Sequence, residues 1–127
     1  MRVDLYSLHE LGYKVINLGK QGENLARRVA IDVRPWLEEY PNAAFVLYVR
    51  QGGQPYIANA ELHDGLLCWE VGKENTVISG FGQVELIMFG TDNEEVKSAT
   101  AQIFVEESLS SEEAGDAPQY TESLLNQ

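Results

Sequence analysis

The stretch Gly80–Gly90, GFGQVELIMFG, decides how the chain is read. Two glycines one residue apart stand before an apolar run, and the first question is whether they form a nucleotide loop. A phosphate loop needs a strand, then the glycines, then a helix whose N-terminus faces the anion. Here the glycines come first, no Lys-Ser/Thr follows, and QVELIMF alternates Val84, Leu86 and Met88 against Glu85, Ile87 and Phe89. A period of two marks a strand. Gly80 and Gly82 are therefore read as structural glycines, in a bend or bulge that leads into it.

The same period recurs on both sides of this stretch. In RRVAIDVR, Val29, Ile31 and Val33 point one way, and Arg28, Ala30, Asp32 and Arg34 the other. Ala44–Arg50 reads as a strand ended by Gly52 and Gly53; it is apolar on both sides, which predicts a central position. YIANAELHDGLLCWEV reads as a hairpin around His63-Asp64-Gly65, because Asp-Gly is the strongest short hairpin signal. Beyond the turn, Leu67, Trp69 and Val71 line one face and are expected in the core. PWLEEYP, framed by Pro35 and Pro41, is one short helical turn or a tight loop, pinned by Trp36 and Leu37. After a TDNEE turn, a last strand places Ala99, Ala101, Ile103 and Val105 inward. Two weaker strands lie around Val3–Ser7 and Tyr13–Leu18, followed by a GKQGEN loop.

Short strands, a turn signal about every ten residues and almost no helix predict an all-β chain, an antiparallel β-sandwich of about six to eight strands. The sandwich is expected over residues 1–105. An acidic linker follows over 106–116, and 117–127 reads as the start of a C-terminal helix with Asp116 as N-cap and Gln119 completing a capping box. In that last segment Tyr120, Leu124 and Leu125 are the large apolar groups and the candidate oligomer contacts.

Composition narrows the function classes. A length of 127 residues suits one domain with a real core. No apolar run approaches the ~18 residues of a membrane span, and the N-terminus lacks the apolar region of a secretory signal. Cys68 is the only cysteine, which excludes an internal disulfide framework and fits synthesis in reducing cytoplasm. The net charge is −11, but six acids and no base follow Val105, leaving 14 acids against 9 bases before it. Such a body offers phosphates no basic face, so nucleic acid is not an expected partner.

Chemistry-bearing residues are sparse. His9 and His63 are far apart, and no cluster has zinc spacing. Asp92, Asn93, Glu94 and Glu95 match no calcium loop. Glu38-Glu39 and Glu106-Glu107 are adjacent pairs and poor acid/base dyads. No enzyme activity, metal or cofactor is expected. Trp36, Tyr40, Tyr48, Tyr56, Trp69 and Phe81 leave one alternative, a carbohydrate-binding module with a stacking platform of exposed Trp and Tyr. Buried aromatics are the default in a sandwich, which favours the core reading.

The order GEN (22–24), VAIDVRPWLEEYPNA, Pro55-Tyr56, DGLLCWEV, TVISGFGQVELIMF, VKSATAQIFVEESL, then a linker and AP, resembles the N-terminal β-sandwich module of structural proteins from phages and prophages of Gram-positive bacteria. The pattern is similar to the N-terminal domain of baseplate upper proteins, with related domains in tail and head-fibre components, and it covers about Gly22–Ala117. The resemblance implies a non-enzymatic virion part. Its role would be anchoring a baseplate, tail or fibre element to other virion proteins, with homo-oligomers, often trimers, formed through sequence beyond the sandwich. Trp36, Trp69, Gly80 and Gly82 match the pattern as structural residues, and it carries over no catalytic residue.

Overall fold

The Asp64-Gly65 turn closes as its sequence predicts. Asp64 (φ 51°) and Gly65 (φ 82°) both take positive φ, and His63 faces Leu66 across a two-residue loop. Those are the features of a type I′ turn, whose twist matches that of the strands it joins. The computed structural model describes residues 1–109. The expected contacts of Tyr120, Leu124 and Leu125, the helix start at 117–127 and the linker beyond Leu109 lie outside the described residues.

The described strands are β1 (Arg2–Ser7), β2 (Val15–Lys20), β3 (Arg27–Asp32), β4 (Ala44–Arg50), β5 (Tyr56–Ile57), β6 (Ala60–His63), β7 (Leu66–Val71), β8 (Gly80–Phe89) and β9 (Glu95–Glu106). They form two sheets in the orders β1-β3-β7-β6 and β2-β9-β8-β4-β5. One helix, α1 (Arg34–Glu39), lies between β3 and β4. The architecture is an all-β sandwich.

Three details differ from the sequence reading. The sandwich is not wholly antiparallel: β1 runs parallel to β3, and β2 runs parallel to β9. After β1 the chain crosses through a 3-10 turn at Glu10–Gly12 and adds β2 to the other sheet. The two N-terminal strands thus become edges of different sheets, and side-chain period carries no information about strand direction. β4 is less central than expected, because its outer neighbour β5 pairs only at Tyr48–Ile57 and Val49–Tyr56. The last strand runs through Glu106, one residue past the expected boundary.

The core is built from the period-two faces. Val29, Ile31, Leu67, Trp69 and Val71 project from the smaller sheet; Ile16, Leu18, Leu47, Val49, Val84, Leu86 and Ile103 answer from the larger one. Each such side chain contributes about 1.5–3 kcal/mol through burial. Trp69 is the largest fully buried residue and pairs with Val29 on one side and Ala60 on the other. Its indole N–H is buried, with no acceptor among the described residues. Trp36 is half-buried on α1, with its ring stacked on Phe45 at 6.4 Å, and with Leu37 it holds the helix to the core.

The two glycines that opened the sequence reading have different tasks. Gly80 has φ +102°, a conformation that side-chain-bearing residues rarely adopt. Gly82 lies on the inner face of β8, where an added Cβ would stand 2.6 Å from the Arg50 carbonyl oxygen and collide with the Gln51 amide. Gln51 fills that space, donating through Nε2 to the carbonyls of Ile78 and Gly80, each at 3.0 Å.

Candidate functional site

The end of the sandwich from which residues 107–109 leave is assembled from the β2–β3, β4–β5 and β7–β8 connections. Buried polar groups lock these loops together. Asn75 accepts from the Gly72 N–H at 2.8 Å and donates to the Tyr56 hydroxyl at 2.9 Å. Thr76, fully buried, donates to the Glu23 carbonyl at 2.7 Å. The Gln21 N–H donates to the Glu106 carbonyl at 2.7 Å, and its side-chain amide donates to the Val77 carbonyl at 2.8 Å. Burial pushes the Tyr56 phenol above its ordinary pKa, although the bond from Asn75 works against this.

This fixed base presents apolar tips to solvent. Leu25, Val77, Ile78 and Phe81 are each about half exposed or more, and Leu109 is almost bare. Leu25 is held in the left-handed region at φ 58°, while its N–H donates to the Val71 carbonyl at 2.9 Å. Phe81 leans on Phe104 at a ring distance of 4.8 Å, and with Val15 and Asn17 they line a hollow of about 310 Å³ on the outer face of the larger sheet. Exposed large apolar residues of this kind are worth noting where several occur on neighbouring loops. Sequence reasoning missed Leu25, Val77 and Ile78. The available signal was the apolar pair Val77-Ile78 in a stretch with no period, between Gly72 and Gly80.

Two other surfaces carry polar chemistry. On the outer face of β4, β8 and β9, Tyr48, Arg50, Gln83, Glu85, Ile87 and Thr100 line a shallow groove of about 530 Å³. On the smaller sheet, Arg28, Asn59, Glu61, His63, Cys68 and Glu70 surround a hollow of about 130 Å³. There Arg28 is ion-paired with Glu70, and His63 Nε2 lies 3.3 Å from Glu61. The Cys68 thiol donates to the Leu66 carbonyl at 3.8 Å. His9, at the other end of the chain order, packs edge-on against Tyr13. Asp92–Glu95 form a tight turn, with Asn93 at φ 63° and a 2.9 Å bond from the Gly90 N–H to the Glu94 carbonyl. Among the described residues, no three of His, Cys, Asp or Glu gather into a group able to hold a metal ion.

Five of the six aromatics considered for a sugar platform are placed in different settings. Trp69 is sealed in the core, Trp36 is stacked on Phe45, and Tyr56 is tied to Asn75. Tyr48 belongs to the outer groove, and Phe81 to the apolar surface described above. Among the described residues, no helix is long and apolar enough to cross a membrane.

No protein-family model matches the chain, and no curated protein matches it at a significant level. Among solved structures, the fold is similar to the N-terminal domain of phage TP901-1 ORF48. The TM-score is 0.54 at 9% identity, covering 83% of this chain and 97% of that one. A second similar structure is the cysteine protease inhibitor EhICP2 from Entamoeba histolytica, with TM-score 0.43 at 11% identity over 84% of this chain and 97% of that one.

Proposed function

We propose that the chain is a non-enzymatic structural module of a phage or prophage particle, one that anchors a baseplate, tail or head-fibre element to other virion proteins. The observation that carries this reading is the extent of the likeness to a phage protein's N-terminal domain. It spans 97% of that domain and most of this chain, rather than one shared motif. The sequence pattern over residues 22–117 supports the same class independently. Exposed apolar side chains supply the physical means, since Leu25, Val77, Ile78 and Phe81 each stand about half or more in water and covering them with another protein lowers the free energy. On this reading the protein is made in the host cytoplasm and resides in the virion, with oligomerisation through residues beyond the sandwich.

The test is to purify particles from the strain that encodes the chain and to probe them with an antibody against it. Co-purification with particles through a density gradient is the expected result. The double variant Ile78→Asp, Phe81→Asp should keep its fold by circular dichroism and be missing from the particles. Particles that lack the wild-type chain would overturn the assignment. Incorporation of the double variant at wild-type level would remove the apolar surface from it.

A further inference from the structure

The outer face of the larger sheet carries two rows of polar side chains across its inner strands β9, β8 and β4. In one row Tyr48 lies opposite Glu85, and Glu85 opposite Thr100. In the next, Arg50 lies opposite Gln83, and Gln83 opposite Gln102. Strand period puts them there, since Val49, Val84 and Ala101 between them are buried on the inner side. The rows line the groove of about 530 Å³ together with the nearly buried Ile87. Past Gln83 and Thr100 the concavity runs on to Gln102 with a further 200 Å³ or so.

What sets these groups apart is that none is engaged within the chain. Every other arginine holds an acid: Arg2 and Arg27 are paired with Asp4, Arg28 with Glu70, and Arg34 with Asp32. Arg50 holds none among the described residues, although Glu85 stands diagonally across from it on β8. Diagonal neighbours lie roughly 7–8 Å apart, within reach of two long side chains. The Tyr48 and Thr100 hydroxyls and the Gln83 and Gln102 amides likewise have no hydrogen-bond partner among the described residues. One guanidinium and one carboxylate cancel, so the groove favours neither an anion nor a cation. Amides and hydroxyls offer donors and acceptors side by side. The three strands are internal to their sheet, so no free backbone edge is there for a peptide strand to join.

We propose that this groove binds a neutral saccharide. Its hydroxyls donate and accept in adjacent pairs, which is what Arg50, Glu85 and the two glutamine amides are placed to meet. Tyr48, half-buried, packs its ring against the apolar face of a sugar. The volume falls within the roughly 300–1,000 Å³ of small-molecule sites. All six groups project from paired strands rather than from loops, so their positions are set before a ligand arrives. This is not a platform of exposed Trp and Tyr, since polar rows carry it and one tyrosine completes it. It lies apart from Leu25, Val77 and Ile78 and does not depend on the virion reading.

The experiment applies the full chain to an array of neutral, sialylated and sulfated glycans. The strongest binder is then titrated by NMR to about 1 mM, where even a millimolar affinity registers. Neutral glycans should bind, and the amide shifts should centre on Tyr48, Gln83 and Glu85. Gln83→Ala and Glu85→Ala, both at exposed positions, should stay folded by circular dichroism. Each should weaken binding about tenfold, the effect of losing one hydrogen bond to the ligand. Glu61→Ala, on the other sheet, should bind as wild type does. Failure of every neutral glycan to bind overturns the proposal. So does a preference for charged glycans over their neutral parents, or a set of shifts centred away from the groove. Variants at Gln83 and Glu85 that keep glycan binding but lose their place in particles would assign the face to a protein partner, and would overturn it too.

Discussion

Trp69 offers the sharpest test of how the sandwich is held together. Its side chain has no exposed surface, and it stands on the central strand β7 between Val29 and Ala60. Trp69→Ala removes the largest group in the core and leaves a cavity that the flanking strands cannot close, which costs about 3–5 kcal/mol. Against a typical total stability of roughly 5–15 kcal/mol, that is about a fifth or more of what holds the domain together. Trp69→Phe keeps one ring in place and leaves a smaller cavity, so it should cost clearly less than the alanine variant. Urea unfolding compares the two, provided the slope of free energy against denaturant is unchanged. The alanine variant should show the larger fall in midpoint and the phenylalanine variant the smaller. A Trp69→Ala midpoint close to wild type would show that the residue is not buried. A Trp69→Phe variant as unstable as Trp69→Ala would show that volume alone does not set the cost.

The glycines give a paired test. Gly80→Ala should cost about 1–3 kcal/mol from backbone strain alone, since nothing stands near the added methyl and only the positive φ opposes it. Gly82→Ala should cost a similar ~1–3 kcal/mol through overpacking against the Arg50 carbonyl; Gln51→Ala should relieve the side-chain part of that clash and leave the backbone part. Thermal melts that place both single variants at the wild-type midpoint would refute both accounts. The Asp32–Arg34 pair supplies a pH effect. The hydrogen bond from Arg34, at 2.7 Å from Nη2 to Oδ2, holds the Asp32 carboxyl below its usual 3.8. A folded value below the unfolded one means that the pair contributes above about pH 4 and is lost as pH falls through the lowered value. Arg34 is largely exposed, so the contribution to stability is small. An NMR titration should nevertheless find the Asp32 carboxyl returning to the ordinary range in Arg34→Gln, and an unchanged value would refute the pairing.

What the sequence determined by itself is local. Alternation in QVELIMF, RRVAIDV and LLCWEV marks strands and their buried faces, because a pleated chain sends successive side chains to opposite sides whatever it pairs with. Asp64-Gly65 dictates a two-residue turn, because those residue types tolerate positive φ there. The order of glycines and strand at Gly80–Gly90 was enough to set aside a phosphate loop. Pairing is a different matter. That β1 and β2 part into separate sheets and run parallel to β3 and β9 depends on which surfaces remain to be covered once the other strands have packed, and neither strand's own residues encode that. The same holds for the exposed apolar residues. Leu25, Val77, Ile78 and Phe81 are scattered over 57 positions of the chain. The loops that carry Leu25, Val77 and Ile78 are tied together at one end by Asn75, Thr76 and Gln21. Val3 and Leu5 read in sequence as an ordinary apolar strand face. Tertiary structure alone decided that they would stand at an open edge facing water.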